Sequence, residues 1–138
     1  MSNEILVNKI TNFENFREAE DALLSLKKTE PEKAFELALD ILNHKHGDEF
    51  FQACAFEVLY STNRKRTLSM LDDLLTSMSV EVFRAVIESV TEDSELVEEE
   101  PQILSAVQLV KTKISTLASD ELKTLESSIA WFTESFNL

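Results

Sequence analysis

Glycine and proline are almost absent from this chain, which restricts it to helical structure. Gly47, Pro31 and Pro101 are the only residues of these two types among the 138. Sheet proteins need frequent turns, and turns recruit glycine and proline. The sequence therefore predicts an all-α fold of helices joined by short links of Ser, Thr, Asn and Asp.

Apolar residues recur every three or four positions, as on the buried face of a helix. The first helical segment spans residues 3–28, with a break after Thr11 and Asn12. The segments that follow run from Pro31 to a stop at residues 44–47, from Asp48 to about residues 61–63, from there through Met78, from residues 77–79 through Val90, and over residues 101–116 and 119–137.

Several residues at the ends of these segments have the character of helix caps. Thr29 is predicted to cap the helix that Pro31 opens, in a capping box with Glu32. Gly47 is predicted to end that helix in a left-handed conformation. The predicted N-caps of later helices are Asp48, Ser79 (or Ser77) and Ser119, with Thr62 or Asn63 before residue 64.

The helices also repeat as pairs. Residues 30–60 align with residues 62–91 at an offset of about 32, and residues 101–116 with 119–137 form a looser third pair. Such a period favours antiparallel hairpins stacked as a short α-solenoid, and a compact helical bundle is the alternative.

The chain is predicted to be one domain, 1–138. Its predicted parts are a cap (1–28), two hairpins (29–60 and 61–91) and an acidic loop with a C-terminal hairpin (92–138).

Two stretches of these pairs, DEFFQACAFEVL and VEVFRAVIESV, resemble the second helix of HEAT-like repeats. In each stretch a polar residue, Gln52 or Arg84, precedes an alanine. The resemblance covers residues 30–91. It implies a stacked helical fold, although the chain lacks the first-helix proline and the aspartate–arginine ladder of those repeats.

Negative charge dominates the surface chemistry that the sequence predicts. The chain has 26 acids against 13 bases, a formal charge of −13, and no Lys or Arg lies between Arg84 and Lys111. A charge of about 2–8 in magnitude is enough to keep a small domain in solution. A larger single-sign excess steers an oppositely charged partner, so the sequence predicts a basic protein partner. Direct nucleic-acid binding is not expected, because it needs clustered bases.

No catalytic, cofactor-binding or metal-binding residue is predicted. Cys54 lies on an apolar helical face and is expected to be a core residue. His44 and His46 are interpreted as polar residues of a helix end, because two residues of separation do not bring both rings to one helical face. Trp131, Phe132 and Phe136 are expected to pack in the core, with a partner-binding anchor as the alternative.

Small, acidic, helical chains of this kind look like bacterial immunity proteins, for example those of contact-dependent growth inhibition. That resemblance implies a non-catalytic inhibitor, monomeric when free, that covers the basic face of a toxin domain such as a nuclease. A helical-repeat scaffold that binds a peptide or protein in its groove is the alternative.

The absence of a leader-like start or a long apolar run predicts a cytoplasmic protein that does not bind membranes. The predicted partner-binding residues are Asp72, Asp73, Glu81, Glu88, Glu92, Asp93, Glu95, Glu98 and Glu99.

Overall fold

A computed structural model describes residues 3–11 and 15–138, and all regular structure in these ranges is helical. The prediction of an all-α fold is therefore confirmed. The first helix ends at Thr11; the predicted break continues into Asn12, which lies outside the described residues. The helices are α1 (Asn3–Thr11), α2 (Phe16–Thr29), α3 (Pro31–His44), α4 (Glu49–Thr62), α5 (Arg64–Leu75), α6 (Val80–Glu92), α7 (Pro101–Ile114), α8 (Ser119–Thr124) and α9 (Glu126–Ser135).

The chain divides into two compact units, Met1–Arg64 and Lys65–Leu138. In the first unit α3 packs against α4, and α2 packs against both. The rings of Phe16 and Phe51, at the starts of α2 and α4, lie 5.6 Å apart. Lys27 Nζ donates to Ser61 Oγ at 3.2 Å near the ends of the same helices. The two helices therefore run parallel, with a separation of about 34 residues along the chain.

The second unit repeats this arrangement. Gln102 donates to the carbonyl of Lys65, and Lys113 donates to the carbonyl of Leu75, so α5 and α7 run parallel. Two further bonds, each joining residues 40 positions apart, connect α6 with the segment that contains α8 and α9. When helical hairpins stack, the first helix of each hairpin runs parallel to the first helix of the next, and the second helices do the same. The predicted offset of 32 relates residues of different units, and it stays a prediction.

Two of the predicted caps, and the predicted start of a helix at residue 101, are confirmed, because the local residue type decides them. The Asp48 carboxylate accepts from the Phe51 amide at 2.8 Å, and Ser79 Oγ accepts from the Val82 amide at 3.3 Å. Pro101 occupies the first position of α7, where its missing N–H costs no helical hydrogen bond.

Three other cap predictions are wrong. Thr29 belongs to the end of α2, and its hydroxyl donates to the Leu26 carbonyl; Glu30 precedes α3 without a side-chain cap. The left-handed residue that ends α3 is Lys45, with φ 52° and ψ 44°, and Gly47 adopts a positive φ two residues later. Ser119 is the first residue of α8, and Ala118 occupies the cap position. The Ala118 amide donates to the Glu121 carboxylate. Of the two caps predicted before residue 64, Thr62 ends α4, where it donates to the Val58 carbonyl, and Asn63 directly precedes α5.

The predicted C-terminal helix is broken into α8 and α9 at Leu125. The Arg84 guanidinium donates to the Thr124 carbonyl at 3.3 Å. A side chain that binds a helix carbonyl interrupts the ladder and bends the helix at that point. Phe132 is buried as expected, Phe136 is only half-buried, and Trp131 is 42% exposed. The expected core packing is therefore confirmed for Phe132 and wrong for Trp131.

One carboxyl of the first unit gives a pH-dependent prediction. Burial, and then the carboxylates of Asp48 and Asp21, raise the pKa of Glu20 above its ordinary 4.5. The folded state therefore holds this proton more tightly than the unfolded chain, and ionised Glu20 lowers stability above the folded pKa. We expect Glu20→Gln to raise the melting temperature at neutral pH. The gain should shrink as pH falls through the raised pKa and vanish below the ordinary value.

The matched control for this variant is Glu36→Gln, which removes one charge from an exposed position of α3. Thermal unfolding of the variants and the parent chain at several pH values measures both effects. A gain for Glu20→Gln that stays constant with pH, or an equal gain for Glu36→Gln, would contradict the role given to Glu20.

Candidate functional site

The acidic run forms an ordered turn between α6 and α7. Ser94–Leu96 make one turn of 3₁₀ helix, in which the Leu96 amide donates to the Asp93 carbonyl at 2.9 Å. The amides of Glu99 and Glu100 then donate to the Leu96 carbonyl at 3.1 and 2.8 Å. These bonds order the backbone of the run, and its side chains are displayed from that turn.

We call residues 92–99 the acidic turn. Glu92, Glu95, Glu98 and Glu99 are all exposed there, and Asp93 is half-buried. No Lys or Arg follows in sequence until Lys111. Two bases of α5, Lys65 and Arg66, lie near this end of the unit, because Gln102 donates to the carbonyl of Lys65 at 3.4 Å. Lys65 and Arg66 offset only part of the charge, so the end of the unit that carries the acidic turn is strongly negative.

Helix α6 carries two further predicted acids, Glu81 and Glu88, on one stripe with Glu92 of the acidic turn. Glu81, Glu88 and Glu92 are seven and four residues apart, a spacing that returns to the same helical face. Two of these carboxylates bind groups within the unit. Glu81 pairs with Arg84 at 3.2 and 3.3 Å, and Glu88 accepts from the buried Ser128 hydroxyl at 3.2 Å. Both therefore stabilise the unit, and Glu92 is the most available carboxylate of the stripe.

The remaining predicted acids, Asp72 and Asp73, lie away from the acidic turn. Both are exposed on α5. The bond from Gln102 to Lys65 places Lys65 level with the start of α7, next to the acidic turn. Asp72 lies seven residues further along α5, which at 1.5 Å per residue is about 10 Å away from that end. Glu81 is also remote, because 11 helical residues, about 16 Å, separate it from Glu92. The nine predicted acids therefore do not form one continuous cluster.

A large exposed aromatic residue lies at the same end as the acidic turn. The bonds that join Arg84 to Thr124 and Glu88 to Ser128 fix an offset of 40 residues between α6 and the C-terminal helices. At that offset Trp131 is level with the last turn of α6, where Glu92 begins the acidic turn. An aromatic face beside carboxylates can bind a lysine or arginine side chain by cation–π and charge interactions together. Trp131 was not among the predicted partner-binding residues, although the sequence offered it as an interface anchor.

Cys54 is half-buried and does not lie in the core as expected, yet it has the chemistry of a structural residue. Its thiol is half-buried in α4, and burial, followed by the charges of Glu20 and Glu57, raises its pKa to about 12. Nucleophilic cysteine needs the thiolate form. At neutral pH this thiol therefore stays protonated and unreactive.

Comparison with known proteins does not extend these observations. No protein-family model, curated protein or solved structure matches the chain. Among the described residues, no helix combines the length and the apolar character that crossing a membrane requires.

Proposed function

We propose that this chain is a non-catalytic inhibitor that binds a basic protein through the acidic turn, in the manner of a small bacterial immunity protein. The observation that supports the proposal is the cluster of four exposed carboxylates on an ordered turn. A surface of this charge attracts a face rich in lysine and arginine, and it accelerates diffusional encounter with that face.

The character of the surface favours a toxin domain, and a nuclease in particular, as the partner. A nuclease must hold phosphates with lysine and arginine, so the face that an inhibitor has to cover is basic. Carboxylates placed on that face satisfy the cations and exclude the nucleic acid. In this proposal Trp131 provides the apolar contact, since tryptophan is enriched among the residues that dominate binding energy.

Capture from the native host, with this protein as bait at low and at moderate salt, tests the proposed function. We expect one predominant basic protein, encoded beside the bait, to be retained at low salt and released as salt rises, because screening weakens contacts between exposed charges. Nuclease activity of that protein, and its loss on adding the bait in equimolar amount, would then be assayed directly.

Two results would contradict the proposal. One is capture of acidic or neutral proteins that resist salt, which would favour the helical-repeat scaffold instead. The other is a captured basic protein whose activity the bait does not reduce.

A further inference from the structure

Three side chains that can bind metal meet at the carboxyl end of α3, in the first unit. His44 Nδ1 lies 2.9 Å from Asp40 Oδ1, and His46 Nε2 lies 3.6 Å from Asp40 Oδ2. One ligand atom from each of the three residues lies within 4.8 Å of the other two. Two imidazoles and a carboxylate are donors that Zn²⁺ and neighbouring first-row ions accept.

The left-handed conformation of Lys45 brings these groups together. In a continuous helix, residues two apart point in different directions. Here Lys45 has φ 52° and ψ 44°, and the amide of His46 donates back to the Ile41 carbonyl at 3.0 Å. This bond closes a Schellman-type helix end. The chain reverses there, so His46 returns alongside Asp40, which lies one turn before His44.

The backbone beyond His46 is also held in place. Gly47 has φ 76°, and a Cβ atom at this position would lie 2.6 Å from Cδ2 of Phe51, so the loop packs closely on α4. Gln52 Nε2 donates to the Gly47 carbonyl at 3.1 Å. A loop fixed in this way loses little further freedom when its side chains close on a ligand.

We propose that Asp40, His44 and His46 bind one divalent transition-metal ion of the type that imidazole prefers, represented by Zn²⁺. The side chains are 53%, 64% and 34% exposed, which leaves the remaining coordination positions open to water. The two imidazole rings lie 5.5 Å apart at 25°. Binding Zn²⁺ at its usual distance of about 2.0–2.1 Å requires these exposed side chains to rotate toward one ion.

One further feature supports a cation at this position. The site lies at the negative end of the α3 dipole, where positive charge is favoured. Binding through His44 Nδ1 would replace the contact of that nitrogen with the carbonyl oxygen of Asp40, 3.2 Å away. Mg²⁺ and Ca²⁺ are not expected to bind in the same way, because they select oxygen ligands. The proposal is independent of the proposed function, whose residues belong to the second unit.

Calorimetric titration of the tag-free full chain with ZnCl₂ tests this proposal. We expect a single site per chain, and no comparable heat with MgCl₂. Mutation of a residue that only supports a metal ligand lowers metal affinity about 10–100-fold. His46→Gln removes a direct ligand, so we expect it to weaken Zn²⁺ binding at least about 10-fold. His44→Gln, at a more exposed position, provides a second test of the same loss, and far-UV circular dichroism checks that both variants fold.

The control variant is Glu98→Gln/Glu99→Gln, which removes two exposed carboxylates from the acidic turn and should leave Zn²⁺ affinity unchanged. Absence of Zn²⁺ binding to the parent chain would overturn the proposal and leave an ordinary ion pair at the end of a helix. Equal affinity in the parent chain and in both histidine variants would also overturn it. A loss of affinity in the acidic-turn variant alone would assign the ion to that turn instead.

Discussion

Replacing Phe132 with alanine is expected to lower the free energy of unfolding by about 3–5 kcal/mol. The side chain is 1% exposed, and its ring lies 5.3 Å from the ring of Phe136. It belongs to α9, which packs against α6, so the substitution removes a buried ring and leaves a cavity. Urea unfolding followed by far-UV circular dichroism measures the loss.

The adjacent residue provides the control. Trp131 is 42% exposed, and Trp131→Ala should cause a much smaller loss of stability, because much of its ring is already in water. Similar losses for the two variants would contradict the burial pattern of α9. A folded Trp131→Ala chain can then be used in binding experiments, where the proposed function predicts weaker capture of the basic partner at both salt concentrations.

Helix positions could be predicted from the sequence wherever the deciding interactions are local. Scarce glycine and proline indicate helices, and the Asp48 and Ser79 caps depend on bonds to amides three residues away. The Thr29 cap was predicted wrongly because two helix ends compete for the same short link. Its hydroxyl binds the Leu26 carbonyl at the end of α2 instead of capping α3.

Features that depend on distant residues could not be predicted in this way. The break at Leu125 involves Arg84, 40 positions before the carbonyl that it binds. The adjacent residues Trp131 and Phe132 have similar apolar character, and only the packing of α9 decides which of them is buried. The meeting of Asp40 with both histidines depends on a left-handed Lys45, a conformation for which glycine is the expected residue.

The concentration of acids in the acidic turn could be predicted from the sequence, and the set of acids that lie together could not. The excess of acids and their concentration in residues 92–100 are visible in the sequence. Which acids share a surface depends on helix direction, and parallel α5 and α7 place Asp72 and Asp73 away from the acidic turn. Internal bonds likewise engage Glu81 and Glu88. The sequence therefore predicted the charge of the surface, and the fold determines its extent.

Neutralising the acidic turn should slow association with the basic partner about 10-fold or more at low salt. The variant Glu92→Gln/Glu95→Gln/Glu98→Gln/Glu99→Gln removes four exposed charges and retains side-chain size. Because charge steering acts mainly on encounter, we expect the association rate to fall more than the dissociation rate rises. Surface plasmon resonance at several salt concentrations, with the captured partner immobilised, measures both rates.

The decisive comparison is with a variant that removes the same number of charges elsewhere on the second unit. Asp72→Asn/Asp73→Asn/Asp120→Asn/Glu126→Gln changes four exposed acids outside the turn and reaches the same net charge. If net charge alone attracts the partner, the two variants should slow association equally, and the acidic turn would lose its special role. If the turn is the contact surface, its variant should show the larger loss and a flatter salt dependence, because fewer charges at the contact remain to be screened.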